Sequence, residues 1–155
     1  MPGIDTRAPD AYAAGHIPGA VNIHDIFTFL AMSSKEGMEE LRGKFAAAFG
    51  AAGLSGEEVA VIYEDSMNTG FGQSCRGYFL LQFLGYPKAA ILHGGYQAWL
   101  AESLPTTTEV PTPEPKTFPV NDASSRPSYD RLRGPRPSWR PNRRRKRDIR
   151  LRPLH

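Results

Sequence analysis

Short apolar segments alternate with longer, partly polar ones from residue 3 to residue 101. The short segments predict strands at residues 3–7, 20–23, 59–63 and 88–92. The segments between and after them predict helices or helical turns at residues 9–14, 25–30, 37–52, 75–85 and 96–101. Strands that alternate with helices are typical of an α/β fold, in which helices cover both faces of a parallel sheet.

The central unit of this pattern is the strand, loop and helix of residues 59–85. A polar loop follows the strand, and the predicted helix ends at Gly85. Open α/β sheets bind ligands at such units, because the helix N-terminus presents backbone N–H groups that have no partner in the helix. Cys75, the single cysteine of the chain, lies at the start of this helix. The unit is therefore the candidate site.

Composition divides the chain into three parts. Residues 1–104 carry the alternating pattern and are predicted to form one domain. Residues 105–120 contain five prolines, which predicts an extended linker. Residues 121–155 are rich in Arg and Pro and have no apolar periodicity, which predicts a disordered tail.

Charge is distributed unevenly between these parts. Residues 1–120 carry 7 Lys/Arg against 13 Asp/Glu, a net of −6, whereas residues 121–155 carry 12 against 3, a net of +9. The five cations at 143–147 leave contact with nucleic acid open as a function, but only Tyr129 and Trp139 are available in the tail to stack on bases. The abrupt change of composition is also typical of an out-of-frame translation, which would make the chain a truncated form of a longer protein.

Several classes of protein are disfavoured by the same sequence. No apolar run approaches the length of a transmembrane helix, and the N-terminus lacks the pattern of a signal peptide. One cysteine allows no internal disulfide, which favours a reducing, cytoplasmic setting. His24 and His93 have no metal-ligand spacing, so no metal site is predicted.

Two sequence motifs resemble those of the rhodanese domains, the sulfurtransferase family. Residues 5–7 (DTR) and 12–22 (YAAGHIPGAVN) resemble the N-terminal signature, and residues 92–99 (LHGGYQAW) resemble the second one. The long insertion at 25–56 and the exit at 116–120 resemble the first half of a tandem two-domain enzyme of the thiosulfate/3-mercaptopyruvate type.

The resemblance implies a rhodanese-like sandwich around a parallel sheet of about five strands, of which the first is expected to be missing here. In active members a cysteine directly after the central strand carries a sulfane sulfur as a persulfide, with thiosulfate as donor and without a cofactor. The implied partners are a small sulfur-containing anion, for an active chain, and a catalytic rhodanese domain in the intact protein. The residues matching the structural motifs are Asp5, Arg7, His16, Gly94 and Gly95.

The position directly after the central strand holds Glu64 instead of cysteine. The resemblance implies that an acidic residue there marks a non-catalytic first domain. The equivalent of the active loop comprises Glu64, Asp65, Ser66, Met67, Asn68, Thr69 and Gly70.

Cys75 permits two interpretations. It lies only ten residues before Gly85, too few for the cysteine of an active loop, which favours a small buried side chain on the inner face of the helix. The other interpretation is a nucleophile in the first helical turn.

The leading hypothesis is thus a rhodanese-family sulfurtransferase domain of the thiosulfate type, inactive by itself and a fragment of a two-domain enzyme. One alternative is a weak sulfurtransferase that uses Cys75 as persulfide carrier. Another is a binding module whose basic tail contacts nucleic acid.

Overall fold

The structure, a computed structural model, describes residues 2–27, 34–66 and 72–121. The predictions for residues 28–30, for Met67–Gly70 and for the tail beyond residue 121 lie outside the described residues. The elements are, in chain order, β1 (Gly3–Asp5), α1 (Pro9–Ala14), β2 (Ala20–Asn22), a 3-10 turn (His24–Phe27), α2 (Lys35–Ala51), β3 (Ala60–Tyr63), α3 (Gln73–Phe83), β4 (Ala89–Ile91) and α4 (Gly95–Ala101).

The described strands form one parallel sheet in the order β2-β1-β3-β4. The predicted α/β fold with a helix-covered parallel sheet is confirmed, and the sheet has four strands in the part that the structure describes. Ile4 and Ile62, paired across β1 and β3, are fully buried against α2 and α3 in the main core. Alternation along β3 sends Tyr63 to the opposite face, where it packs with Tyr96 of α4.

The amphipathic pattern of α2 explains how one face of the sheet is closed. Leu41, Phe45 and Phe49, spaced by four residues, are each at most 3% exposed and belong to the main core. Ser34 is the N-cap of this helix, and its side chain accepts a hydrogen bond from the N–H of Gly37 at 3.1 Å.

Residues 105–121, which we call the strap, run along this domain in extended form. Backbone hydrogen bonds hold the strap at three places: Thr107 pairs with His16, the N–H of Lys116 donates to the carbonyl of Gly50, and the N–H of Asn121 donates to the carbonyl of Leu84. Gly50 lies inside α2, and a Cβ there would stand 2.5 Å from the carbonyl oxygen of Lys116. The strap therefore needs glycine at this point of the helix. The boundary between domain and linker at residues 104 and 105 stays a prediction.

Phe118 is the apolar anchor of the strap. It is 7% exposed, and its ring centroid lies 5.2 Å from that of Tyr86 and 5.6 Å from that of Phe49. We expect Phe118→Ala to lower the free energy of unfolding by about 3 kcal/mol, because it removes a large buried side chain from the edge of the core. Urea unfolding measures this change. Val120→Ala is the matched control, since Val120 is 45% exposed on the same strap, and equal losses in the two variants would contradict the anchoring role.

An ion pair gives the strap a pH-dependent contact. Lys116 donates to the Glu58 carboxylate, which also accepts a hydrogen bond from the N–H of Ser55 at 2.8 Å. The bond from Lys116 is the main reason that the pKa of Glu58 lies far below its usual range, and the bond from Ser55 adds to the effect. A pKa that is lower in the folded chain stabilises the fold above the ordinary pKa, and this contribution is lost as pH falls. In thermal unfolding we expect the wild type to exceed Glu58→Gln in Tm at neutral pH. That difference should shrink below about pH 4.5, and a difference that stayed constant into acid would contradict the assignment.

Candidate functional site

The predicted site residues meet at one edge of the sheet. The carboxyl ends of parallel strands lie together, and here β1 ends at Asp5, β3 at Tyr63 and β4 at Ile91. The edge therefore carries Asp5 and Arg7 after β1, Glu64 and Asp65 after β3, and the Gly94–Gly95 turn after β4. His16 and Cys75 lie outside this group of contacts.

The Glu64 side chain fills the N-terminal end of α3. It is 1% exposed, and its two carboxylate oxygens accept hydrogen bonds from the backbone N–H of Gln73 (2.8 Å) and from the hydroxyl of Ser74 (3.0 Å). The N-cap residue of α3 is Gly72, which has no side chain to accept such bonds. A carboxylate is favoured here, because the unpaired N–H groups give a helix N-terminus a partial positive charge. The negative charge bound at the N-terminus of α3 is thus the carboxylate of Glu64 itself.

The backbone of the same loop caps a second helix. The carbonyl oxygens of Glu64 and Asp65 accept hydrogen bonds from the N–H groups of Tyr96 (2.9 Å) and Gln97 (3.0 Å) at the start of α4. Gly95 has a φ of +66°, and a Cβ there would stand 2.5 Å from the Glu64 carbonyl oxygen. The glycine pair of the second motif therefore lets α4 approach the loop, and it has no side chain that could act on a ligand.

Asp5 and Arg7 form a buried ion pair beside the loop. The guanidinium donates to both carboxylate oxygens, at 2.7 Å for Nη2 to Oδ2, and the side chains of Asp5 and Arg7 are 0% and 5% exposed. Nη2 also donates to the carbonyl of Gly15 at 2.7 Å. The guanidinium carbon lies 3.8 Å from the ring centroid of Tyr96. The Arg7 guanidinium is therefore held by contacts inside the domain.

The charges of this pair alter the titration of its neighbours. Burial alone would lower the pKa of Arg7, but the hydrogen bond to Asp5 and the charge of Asp5 outweigh it, so the pKa is raised. Burial, reinforced by the charge of Asp5, also raises the pKa of Tyr63 well above its ordinary value. The Tyr63 hydroxyl accepts a hydrogen bond from the N–H of Ile17 at 3.2 Å. Both side chains keep their ordinary charge near neutral pH.

Asp65 is the more accessible acid of the loop. Its side chain is 41% exposed, Oδ1 accepts a hydrogen bond from the Gln97 side chain at 3.0 Å, and the same oxygen lies 4.0 Å from Nη1 of Arg7. Ser66 is partly buried, and Met67, Asn68, Thr69 and Gly70 lie outside the described residues. The described part of the loop thus presents acidic groups, which oppose the approach of a small anion.

The preferred prediction for Cys75, a buried side chain on the inner face of the helix, is wrong. Cys75 is exposed. α3 begins at Gln73, two residues earlier than predicted, and its buried side is formed by Ser74, Gly77, Leu80 and Leu81. The small position against the sheet is Gly77, where a Cβ would lie 3.1 Å from Ile62 Cγ2. Cys75 follows Ser74 in the first turn and faces solvent.

His16 connects α1 to the strap. Its ring is fully buried, stacks on Tyr12 at a centroid distance of 3.8 Å, and places its two nitrogens 3.0 Å from the carbonyl oxygens of Tyr12 and Glu109. His24 contacts the carbonyl of Thr6 at 3.1 Å, and His93 is exposed. Among the described residues, no group of three or more His, Cys, Asp or Glu is arranged to hold a metal ion. In the same part of the chain, no helix has the length and apolar character needed to span a bilayer.

Two grooves of the described surface open away from Glu64. One of about 320 Å³ lies on the Tyr63 face of the sheet, beside Val61 and Trp99, and one of about 620 Å³ lies between β2, α2 and the strap. Neither is lined by Glu64 or Asp65. At the strand end, the described part of the loop offers a carboxylate and no thiol.

Comparison with known proteins places this geometry in a family. The sequence profile of the rhodanese-like domain matches residues 3–102. The chain belongs to the rhodanese-like domain family. Its candidate site is the loop after the third described strand of that fold.

Relatives of known name point to the same class. The chain is 36% identical over 110 residues to a thiosulfate sulfurtransferase of Azotobacter vinelandii, an alignment that covers 71% of this chain and 40% of the relative. A thiosulfate sulfurtransferase of Cricetulus griseus is 30% identical over 128 residues, covering 81% and 42% of the two chains. The chain thus spans about two fifths of the length of these relatives.

A solved structure supports the fold. SseA from Escherichia coli, described as a 3-mercaptopyruvate sulfotransferase with the rhodanese fold, superposes with a TM-score of 0.60 at 24% identity and covers 77% of this chain and 48% of its own.

Sequence reasoning found the position of Glu64 but missed the residues that bind it. Gln73 and Ser74 belong to the first turn of α3. A signal was present in Gly72, since a helix that begins after glycine takes its capping acceptor from elsewhere. Tyr96 and Gln97 were assigned to a helix, but their contacts with the loop carbonyls depend on the tertiary fold.

Proposed function

We propose that this chain is the non-catalytic rhodanese domain of a thiosulfate-type sulfurtransferase, and that it performs no sulfur transfer by itself. The observation that carries the proposal is the position of Glu64. It directly follows β3, where the resemblance places the sulfur-carrying cysteine, and its carboxylate is bound by Gln73 and Ser74.

The chemistry of this position supports the proposal. A carboxylate is not a sulfur carrier of this class, and one that is 1% exposed and doubly hydrogen-bonded at a helix N-terminus occupies the donors that would stabilise a persulfide. Asp65 adds a second negative charge beside it. A thiosulfate dianion approaching this loop meets like charge.

The lengths of the relatives support a role within a larger enzyme. The curated thiosulfate sulfurtransferases are about two and a half times as long as the matched segment, since the alignments cover 40% and 42% of them. In the proposed arrangement the cysteine thiolate of a second rhodanese domain attacks the sulfane sulfur of thiosulfate, and the S–S bond breaks with release of sulfite. The persulfide then passes its outer sulfur to a thiol or to cyanide, which becomes thiocyanate, and the thiolate is regenerated. This chain supports that domain as a structural partner.

Steady-state sulfur transfer tests the proposal. The full-length chain is incubated with thiosulfate and cyanide, and thiocyanate formation is followed. We expect no rate above the buffer reaction and no difference between the wild type and Cys75→Ser. Saturable turnover that Cys75→Ser abolishes would overturn the proposal.

One observation favours a second candidate, a sulfurtransferase that uses Cys75. The thiol is exposed in the first turn of α3, a setting in which cysteines can be reactive. Glu64 already accepts hydrogen bonds from the Gln73 N–H and the Ser74 hydroxyl of this turn, however, and a persulfide anion on Cys75 would be a second negative charge at the same end. The Cys75→Ser comparison separates this candidate from the first.

A further inference from the structure

The strap is the last described segment of the chain, and it contacts residues that lie far from it in sequence. The surface that receives it carries three glycines at a spacing of three residues, and we call it the strap track: Gly50, Gly53 and Gly56. A Cβ on Gly50 would stand 2.5 Å from the carbonyl oxygen of Lys116, and one on Gly56 would stand 3.0 Å from Pro119 Cγ. The fit of the strap therefore depends on close approach to the backbone of the track, and two copies of the chain offer the same fit to each other.

A strained turn connects α4 to the strap. The N–H of Ser103 donates to the carbonyl of Leu100 at 2.9 Å, and the N–H of Leu104 donates to that of Trp99 at 3.3 Å. These two bonds form a Schellman motif, which puts the residue after the helix cap in the left-handed region and favours glycine there. Here that residue is Ser103, with a φ of +55°, and it is the one non-glycine residue with a positive φ among those that the structure describes. The conformation that keeps the strap on its own domain is therefore strained at this turn.

Two exposed apolar side chains lie beside this turn. Leu100 and Leu104 are each 42% exposed. Residues 102–106 join α4 to Thr107, whose backbone pairs with that of His16. Five extended residues span at most about 18 Å, so a second copy whose track receives the strap must lie close to the turn. In a two-fold symmetric pair the leucines of both copies are then brought together, and their burial stabilises the pair.

We propose that two copies of this chain exchange their straps, so that the strap of each copy lies in the track of the other. The exchanged dimer keeps the ion pair of Lys116 with Glu58 and the packing of Phe118, because both form between a strap and the domain on which it lies. It opens both strained turns and covers the leucines beside them. It gives up the freedom of two separate molecules and the exposed hydrogen bond of 2.9 Å from the Trp99 indole to the Pro105 carbonyl. The exchange does not depend on whether the chain transfers sulfur.

Sedimentation velocity of the full-length chain at increasing concentration tests the exchange. We expect the wild type to dimerise with a Kd below about 1 mM, because a short connection gives the strap an effective concentration of that order at its own track, and opening of the turns favours the dimer. Ser103→Gly should raise Kd at least about fivefold and Ser103→Val should lower it at least about fivefold, since glycine favours the left-handed turn and a β-branched residue disfavours it. The Ser103 side chain is exposed, so neither change alters a packed contact. A wild type that stays monomeric at about 1 mM, or a Kd that is the same in all three proteins, would overturn the exchange.

Charge reversal distinguishes exchange from other modes of association. Glu58→Lys and Lys116→Glu each place like charges together when strap and track belong to the same copy. In a mixed exchanged dimer the two reversed residues face each other in one track, and the native Lys116 and Glu58 meet in the other. We expect the Kd of the mixed dimer to be at least about tenfold lower than that of either variant with itself. Thermal unfolding checks that each variant folds, and a mixture no more dimeric than its components would contradict the exchange.

The leucines beside the turn give a third measurement. Leu100→Glu should raise Kd at least about tenfold, because it places a charge in the contact between the two copies. Phe79→Glu is the matched control and should change Kd less than about twofold, since Phe79 is 56% exposed on α3, which covers the opposite face of the sheet from α4. A dimer that Leu100→Glu disrupts, but that neither the Ser103 variants nor mixing of the charge-reversed chains alters, associates through its surface alone and would overturn the exchange. Stronger dimerisation of Ser103→Val, together with recovery in the mixture, is the result that supports it.

Discussion

Alanine in place of Asp5 is expected to lower the free energy of unfolding by about 4 kcal/mol. The variant leaves the Arg7 guanidinium, 5% exposed, without the carboxylate to which it donates at 2.7 Å. An uncompensated buried charge costs more than the ion pair itself contributes, because the pair has already lost its hydration. Equilibrium unfolding in urea, with the slope m compared between variants, measures the loss.

The double variant Asp5→Ala/Arg7→Met tests whether the unpaired charge of Arg7 causes the loss of stability. Methionine retains much of the packing of Arg7 against Tyr96 but removes the charge. We expect the double variant to be more stable than Asp5→Ala alone. If both lose the same free energy, the effect of Asp5→Ala is lost packing and the stranded charge is not its cause.

The second large effect is expected at Glu64. Glu64→Ala should lower the free energy of unfolding by about 3 kcal/mol, because the Gln73 N–H and the Ser74 hydroxyl both lose a charged acceptor in a buried place. Glu64→Gln keeps an acceptor oxygen and loses the charge, so a loss of about half that size is expected. Urea unfolding of the wild type, Glu64→Ala and Glu64→Gln measures the three free energies of unfolding.

Glu39→Ala is the matched control for Glu64→Ala. Glu39 lies exposed on α2, and removing the same side-chain atoms there should change the free energy by less than about 0.5 kcal/mol. A Glu64→Ala variant as stable as Glu39→Ala would show that the carboxylate does not hold the end of α3. The interpretation of the loop as an anion-filled, non-catalytic one would then lose its structural basis.

The Glu64 carboxylate takes up donors at the start of the helix that follows the loop. A helix N-terminus offers a small number of N–H donors, and in this chain a side chain of the preceding strand end binds there. The loop carbonyls of Glu64 and Asp65 are also engaged, by α4. In the described part of the loop, the Glu64 side chain and the carbonyls of Glu64 and Asp65 therefore join the end of β3 to α3 and α4.

The elements of the fold could be predicted from the sequence because their signals are local. The apolar spacing of Leu41, Phe45 and Phe49 predicts α2, and the structure buries all three. The assignment of Glu64 to the position after the strand needed only the strand end and the family motifs. Its carboxylate contacts depend on the course of a long loop, which sequence periodicity does not describe.

The exposure of Cys75 and the burial of Phe118 could not be predicted from local sequence patterns. Cys75 was expected to be buried because it is a small residue in an apolar helix, but a start at Gln73 turns it outward and gives the buried position to Gly77. The prolines of the strap predict extended chain, yet they do not reveal that Phe118 packs between Tyr86 and Phe49. Both outcomes are set by tertiary packing, in which residues far apart in sequence compete for the same space.

The most direct test of catalytic inactivity is the intact mass of the full-length chain after incubation with thiosulfate. A sulfane sulfur carried by any cysteine would add one sulfur atom, and Cys75 is the single cysteine that could hold it. An unchanged mass is expected for both the wild type and Cys75→Ser. A gain of one sulfur in the wild type that is absent from Cys75→Ser, and that cyanide removes, would contradict it.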